Sequence, residues 1–378
     1  MVVFHSTTQV EPPSTVKTIA TAGLSLLSAL TGIVVVELFC HFFVPSVGHS
    51  VYEWERRILF FDGAGSIFEN HGDIFTYTPH NDIRSVGVYF SAQNFDVEYD
   101  YHFRTNNLGL VQDFDIEPGR SSLLLLGDSF TEGQGAPPWF QQLVTQTGKF
   151  PYQLINGGLL GTGFAQWNLL ERYLAANKIN TRKLLVLFIS DDYTRDVGNI
   201  RQDVFSCLDS LSSCPDRDNY MMYRLPPAQD LPFWVDRIRT ERATRGGVTE
   251  RATKLAATLL PATHQVYRFL KAKFSRNAAA ERGSRAAIAE FVQRYGADNV
   301  AFVHLPQKDE TSGPNEIGWL ARSAIEDAGG KLYDGFKLCD LTPADYHVHD
   351  GHPNAQGYGK IAHCVAAIVR GMATDERE

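Results

Sequence analysis

An excess of basic charge is missing from this sequence. Its 35 Lys and Arg residues are outnumbered by 43 Asp and Glu residues, which gives a formal net charge of −8. Such a chain has no basic field to draw it onto nucleic-acid phosphates, and it carries no RNA- or DNA-binding motif. Nucleic acid is therefore not an expected partner.

Internal repeats and low-complexity tracts are also missing. The 378 residues are 44% hydrophobic and 12% aromatic, which is not the composition of a disordered chain. We therefore expect a globular protein with one large core or two smaller ones.

Charge is absent from one long segment near the N-terminus. Positions 18–36 contain no Asp, Glu, Lys or Arg, and the apolar stretch continues to Val44. About 20 apolar residues let a helix cross the hydrocarbon of a membrane. The pattern predicts a transmembrane signal anchor over 18–44, behind a tail over 1–17. A buried core helix and a cleavable signal peptide are the alternatives.

Cysteine is scarce, with five residues in the chain. Cys207 and Cys214 bracket a polar stretch, Cys339 and Cys364 flank a C-terminal motif, and Cys40 falls inside the predicted span. The two pairs would suit disulfides in an oxidising compartment, with ordinary reduced cysteines as an equal alternative. We expect a single-pass membrane protein with its bulk outside the cytoplasm, on the periplasmic side of the inner membrane in a bacterium. The positive charges around the span do not decide its orientation.

Two patterns follow the predicted anchor. Residues 45–120 are rich in aromatic residues and turn formers, and their alternating stretches predict antiparallel strands in a lead-in region. Over 121–371, short apolar runs alternate with amphipathic helical patterns, which is typical of a parallel sheet covered on both faces. The prediction is a three-layer, doubly wound α/β domain. An insertion around 196–298 interrupts this domain. It could cover the site as a lid, bind a partner, or be a solvent-exposed addition to the fold.

A serine follows the first of these apolar runs. The stretch "LLLLGDSF" ends in Gly127, Asp128 and Ser129, at the carboxyl end of a predicted strand, where open parallel sheets gather their ligands. A serine attacks an ester only if a neighbouring group takes its proton, and an imidazole oriented by a carboxylate is the usual device. Asp350 and His352, in "DGHPN", offer both groups.

Four blocks of this sequence occur in a familiar order. "LLLLGDSF" at 123–130, "NGGLLGTG" at 156–163, "LFISDD" at 187–192 and "DGHPNAQGY" at 350–358 resemble the four blocks of the SGNH, or GDSL-type, hydrolase superfamily. The resemblance covers roughly 121–371 without the insertion. It implies a flavodoxin-like fold and serine ester chemistry that needs no cofactor and no metal.

The resemblance also implies roles for individual residues. Ser129 would be the nucleophile and would supply one oxyanion donor through its backbone N–H, and Gly161 would supply a second. His352 would be the general base, oriented by Asp350. The family's third oxyanion donor is an Asn side chain, and this sequence has Asp191 in its place.

Asp191 is the main departure from the family pattern. An ionised carboxylate cannot donate a hydrogen bond, and losing one donor costs about 10²–10³ in rate. Burial could keep Asp191 protonated, another donor such as Asn199 could replace it, or the domain could be slow or inactive.

Other residues near these motifs have weaker assignments. Asp128 is expected to stabilise the turn. Glu132, Trp139 and Gln166 could line the site, although each is more often a packing or surface residue. An α/β-hydrolase is disfavoured because Thr131 stands where its Gly-x-Ser-x-Gly motif needs the second glycine.

A metallohydrolase is a further alternative, since the histidines alternate at His347, His349 and His352. The spacing His-x-His-x-Asp-His is not matched, because the aspartate falls one position early. We expect no metal site.

The sequence therefore predicts a membrane-anchored SGNH esterase that acts on an O-acyl ester, with O-acetyl favoured, of a cell-envelope glycan or lipid. An O-acyltransferase using the same triad is one alternative. A catalytically inactive subunit, serving as a binding or scaffold component of a membrane assembly, is the other.

Overall fold

A computed structural model describes helical positions between 25 and 39 and residues 56–90, 94–137, 139–215, 221–244 and 277–374. The chain divides into two units. One comprises Met1–Glu53 and Gly246–Ser275, and the other comprises Trp54–Arg245 and Arg276–Glu378. The predicted tail and most of the predicted span over 18–44, including Cys40, lie outside the described residues. Among the residues that are described, no helix is both long enough and apolar enough to cross a membrane.

The larger unit is built around a five-stranded parallel sheet. Its strands are β6 (Ser121–Gly127), β7 (Gln153–Gly158), β8 (Asn180–Phe188), β10 (Val300–His304) and β11 (Lys331–Asp334), in the spatial order β7-β6-β8-β10-β11. Counted along the chain, this is the 2-1-3-4-5 order of flavodoxin-like folds. The prediction of a doubly wound parallel α/β fold is confirmed.

Alternate strand residues explain why helices cover both faces of this sheet. Odd-numbered positions such as Leu125 and Leu185 face one core, and even-numbered positions such as Leu124 and Leu184 face the other. Helices α2 (Phe140–Thr147) and α9 (Ala355–Thr374) cover the first face. The second face is covered by α3 (Phe164–Ala176), α6 (Ala278–Tyr295) and α7 (Glu316–Asp327). The short helices α1 (Ser129–Glu132) and α8 (Gly335–Leu338) follow strands β6 and β11.

The lead-in region forms a second sheet, as the alternating pattern predicted. Its strands β1 (Arg56–Asp62), β4 (Asp82–Phe90) and β5 (Phe95–Arg104) are antiparallel neighbours, and β2 (Phe68–His71) pairs with β3 (Ile74–Tyr77) in a separate hairpin. The fourth strand of the sheet comes from the insertion, because β9 (Met222–Arg224) pairs in parallel with β1.

The described start of the insertion thus extends the lead-in sheet. Helix α4 (Gln202–Asp209) and helix α5 (Leu231–Thr244) add Val204, Val235 and Ile238 to the core under this sheet. The same segment contains the Cys207–Cys214 disulfide. A second disulfide, Cys339–Cys364, ties α9 to the segment after α8. These are the two pairs suggested by the sequence.

Candidate active site

The loop after β6 brings Ser129 to the carboxyl edge of the parallel sheet. Gly127 ends the strand at a point of very close packing, where an added Cβ would lie 1.8 Å from Thr131 Oγ1 and 2.5 Å from the Leu187 carbonyl oxygen. The Asp128 carboxylate then caps α1 by accepting the Phe130 N–H at 2.9 Å. Ser129 is therefore the first residue of a tightly held turn, at the point where the strand order reverses.

A row of hydrogen bonds joins Ser129 to the C-terminal motif. The Ser129 Oγ lies 2.7 Å from His352 Nε2, and His352 Nδ1 lies 2.5 Å from Asp350 Oδ1. An ionised Asp350 can only accept, so the His352 proton sits on Nδ1 and leaves a lone pair on Nε2 for the serine proton. The structure thus brings all three predicted residues together, with the polarity that a general base requires.

The environment of Asp350 keeps it ionised. Burial by itself would raise the pKa of this carboxyl, but the adjacent His352 imidazole and the Arg57 guanidinium lower that pKa below its usual range. Both Asp350 and His352 are buried. The acid partner of the row is therefore charged at neutral pH.

Two backbone N–H groups are available beside the serine. Ser129 is the first residue of α1, so its N–H has no acceptor within that helix. Gly161 lies between β7 and α3 with a φ of +72°, a conformation that favours glycine. No described residue accepts a hydrogen bond from either N–H. Each group therefore meets one condition for the predicted oxyanion donors, an N–H without an acceptor in the described part of the chain.

Glu132 fixes the loop that carries Gly161. Its carboxyl accepts the Leu160 N–H at 2.8 Å and the Tyr77 hydroxyl at 2.9 Å, so it links α1, the Gly161 loop and the β2–β3 hairpin. Full burial raises the pKa of Glu132 to about 8. The sequence left Glu132 as a residue that could line the site, and in the structure its carboxyl binds the loop that carries Gly161.

Trp139 and Gln166 have similar supporting positions. The Trp139 indole donates to the Thr131 carbonyl at 3.0 Å, and Gln166 accepts the Gly163 N–H at 3.2 Å at the start of α3. Both side chains are buried.

Asp191 lies in a short 3₁₀ turn, Ser190–Thr194, that follows β8. Its Oδ2 accepts a hydrogen bond from Gln307 Nε2 at 3.0 Å. Asn199, the alternative donor, is an exposed loop residue, and no described hydrogen bond joins it to the triad.

Arg195 is a charged neighbour of the serine that the sequence reasoning missed. Its Nη1 lies 2.6 Å from Asp128 Oδ2 and 2.6 Å from Asp192 Oδ1, and Asp128 Oδ2 is in turn 3.3 Å from Ser129 Oγ. Burial raises the pKa of Asp192, and the Arg195 charge opposes that rise. Asp128 thus holds the turn, as predicted, and also binds an arginine. No local pattern marks Arg195, because its partners come from two different loops.

The two remaining histidines of the C-terminal motif contact residues outside the row, and both lie near the Glu98 carboxylate. His347 Nε2 lies 2.9 Å from the Gly135 carbonyl oxygen, and His349 Nε2 lies 3.5 Å from Asp96 Oδ2. His352 belongs to the row with Ser129. Within the described ranges, no group of three or more His, Cys, Asp or Glu side chains is arranged to hold a metal ion.

A second serine and histidine pair lies buried beneath the site. Ser190 Oγ is 3.1 Å from His304 Nε2 and donates to Glu310 Oε2 at 2.9 Å, while Arg322 Nε donates to His304 Nδ1 at 2.8 Å. Burial lowers the pKa of His304 to about 3, with the Arg322 charge adding to the effect. This network supports the turn that carries Asp191. Its residues stand in four separate segments of the sequence, so no spacing indicates it.

The row of Ser129, His352 and Asp350 joins the first of the four sequence blocks, at the end of β6, to the fourth block. No protein-family model matches the chain, and no curated protein sequence matches it significantly.

Two solved structures are similar in fold. One is a Bacteroides ovatus protein provisionally described as a GDSL-like lipase, with 9% identity and a TM-score of 0.33 over 85% of this chain and 75% of the other. The second is the protein YxiM from Bacillus subtilis, with 9% identity and a TM-score of 0.32 over 86% of this chain and 75% of the other. At such low scores, the description of this site depends on its own geometry.

Proposed function

We propose that this protein is a serine ester hydrolase of the SGNH type. The observation that supports the proposal is the 2.7 Å contact between Ser129 Oγ and a His352 nitrogen whose ring is oriented by Asp350. A serine that only capped a helix would not require a buried imidazole whose unprotonated nitrogen faces the serine oxygen.

The geometry supports a two-step acyl transfer. Ser129 Oγ attacks the ester carbonyl while His352 Nε2 takes its proton, and Asp350 stabilises the resulting imidazolium. The N–H groups of Ser129 and Gly161 stabilise the negative oxygen of the tetrahedral intermediate. His352 then protonates the leaving alcohol, and a water molecule or an acceptor hydroxyl resolves the acyl-enzyme by the reverse route.

The experiment that tests this function is covalent labelling by a fluorophosphonate probe. We expect the wild-type protein to be labelled and the Ser129→Ala variant to be unlabelled. Ser190→Ala is a matched control, because Ser190 also contacts a histidine but should not react. Absence of labelling in well-folded wild-type protein, or labelling that survives Ser129→Ala, would contradict the proposal.

The substrate class follows from the predicted placement of the chain. A signal anchor over 18–44 would hold the site outside the cytoplasm, where the esters of cell-envelope glycans and lipids are found. We therefore propose O-acyl esters of such molecules, with O-acetyl groups first, as substrates. Release of acetate from an acetylated envelope glycan, abolished by His352→Ala, is the corresponding assay.

The same intermediate would allow transfer to a hydroxyl acceptor. Mass spectrometry of products formed with and without an added glycan separates the two reactions, because a transferase moves the acyl group to the glycan and a hydrolase releases it.

Membrane fractionation of the full chain beside a variant lacking 1–44 tests the predicted anchor.

A further inference from the structure

The lead-in sheet contacts the loop that carries Asp350 and His352. Glu98, on β5, accepts the His349 N–H at 2.9 Å, and Oδ2 of the neighbouring Asp96 lies 3.5 Å from His349 Nε2. The Tyr99 ring lies 5.3 Å from the His347 ring, measured between centroids. A region that precedes the hydrolase blocks in the sequence therefore forms one wall of the catalytic loop.

Arg57 is the residue of this sheet that approaches the triad itself. Its Nη1 lies 3.5 Å from Asp350 Oδ2, and only 22% of the Arg57 side chain is exposed. Among the described residues, Asp350 is the one carboxylate within ion-pair distance of Arg57. Arg57 stands opposite Tyr89 in the β1–β4 register, so the ladder of the sheet fixes its position.

The second oxygen of Asp350 has few other partners. Oδ1 binds the His352 ring and the His352 N–H, whereas Oδ2 is buried and faces the Arg57 guanidinium, and the Tyr89 hydroxyl adjoins the same carboxylate. A buried carboxylate with so few donors is unfavourable, and an opposite charge nearby offsets that cost. The Arg57 guanidinium is the cation in position to do so.

We propose that Arg57 is a positioning residue of the catalytic triad, by which the lead-in sheet holds the Asp350 carboxylate in place and moderates its charge. The inference rests on the proposed function of Ser129. It implies that the lead-in sheet is part of the active site and that the α/β domain is incomplete without it.

The charge of Arg57 should influence the protonation of His352. A cation beside Asp350 opposes the positive charge that His352 acquires, so its removal should favour the imidazolium and move the acid limb of the pH–rate profile to higher pH. Because Arg57 and His352 flank the same carboxylate, we expect a movement of about half a pH unit or more. The other titratable groups facing this carboxylate and imidazole are Tyr89, Tyr99, Tyr101, Glu98, His347 and Tyr358.

The test is the pH dependence of fluorophosphonate labelling, from pH 5 to pH 9, in three variants. Arg57→Gln should slow labelling by roughly tenfold, in the range typical of contacting residues, and should move the acid limb upward. Arg57→Lys keeps a cation, so its limb should stay near the wild-type position even if the rate falls. Arg84→Gln is the matched control, since Arg84 pairs with Asp100 on the exposed side of the same sheet, with about 40% of each side chain accessible.

A purely structural role for Arg57 would lower the rate in both Arg57 variants without moving the limb. That outcome, or an equal movement in Arg84→Gln, would overturn the proposal. An NMR titration of the His352 ring, assigned with His352→Asn, gives a readout independent of activity. If the wild-type protein is not labelled, the proposed function fails, and this titration still decides whether Arg57 acts on the triad.

Discussion

Replacement of Asp191 by Asn is the substitution that we expect to increase activity. The side chains have the same shape, and the Asn oxygen can still accept the hydrogen bond from Gln307 Nε2, which is 3.0 Å long in the wild type. The opposite atom changes from a carboxylate oxygen, which can only accept, into an N–H₂ group that donates. The substitution thus supplies the amide that the resemblance to SGNH hydrolases implies at this position.

The expected gain follows from the value of one oxyanion donor. Adding a donor that reaches the developing charge should raise kcat by up to about 10²–10³, equivalent to about 2.7–4 kcal/mol of transition-state stabilisation. Backbone donors at Ser129 and Gly161 already supply part of the stabilisation, so the lower end of this range is the more realistic expectation.

The assay is hydrolysis of a p-nitrophenyl acetate substrate, with Asp191→Ala as the control. The Ala variant removes the negative charge without adding a donor, so it measures the repulsion alone. Activity should increase in the order wild type, Ala, Asn. An Asn variant no faster than Ala would show that this side chain does not reach the oxyanion, and one slower than the wild type would refute the reasoning altogether.

Three further outcomes are expected. The pKa of Glu132 is about 8 in the folded protein, against an ordinary value of 4.5, so the protonated side chain stabilises the fold. That stabilisation is complete below pH 4.5 and is lost as the pH rises toward 8. Glu132→Gln should therefore flatten the dependence of Tm on pH between about 5 and 8. Gly127→Ala should cost at least about 2 kcal/mol in urea unfolding, because its Cβ would overlap Thr131, and an unchanged midpoint would contradict the packing. Replacing Cys339 and Cys364 by Ser should lower the free energy of unfolding by about 3 kcal/mol, given their separation of 25 residues; equal stability in the variant and the wild type would show that the bond contributes little.

Local patterns predicted the parallel sheet well. Strands such as Ser121–Gly127 are buried on both faces, so they appear as unbroken apolar runs, and the helices between them have amphipathic periods. The pairing of β9 with β1 could not be predicted, because three residues about 160 positions from their partner strand carry no pattern of their own.

The same limit applies to the site. Ser129, Asp350 and His352 stand in short blocks whose order is informative, whereas Arg57 and Arg195 are single residues brought to the site by tertiary contacts. Arg57 pairs with Asp350 and Arg195 with Asp128, and both of these partners are distant in the sequence. Only the folded chain shows that the lead-in sheet reaches the triad.

Proximity of a serine to a histidine is not enough to define a nucleophile, and this chain contains two such pairs with opposite proton positions. At Ser190, Arg322 can only donate to His304 Nδ1, so the His304 proton sits on Nε2 and points at the serine oxygen. That imidazole cannot take the Ser190 proton, which Glu310 accepts instead.

At Ser129 the polarity is the reverse. The group behind His352 is the carboxylate of Asp350, so Nδ1 carries the proton and Nε2 is a base. The charge of the residue behind each imidazole, positive for Arg322 and negative for Asp350, decides which imidazole can act as a base toward its serine. Replacing Asp350 by Asn should therefore do more than weaken an ion pair. The Asn amide can donate to His352 Nδ1, which would leave the His352 proton on Nε2, as in His304. Labelling of Ser129 should then fall by about 10⁴, as expected for a wrong tautomer. A loss of only a few fold would show that Asp350 acts by its charge alone.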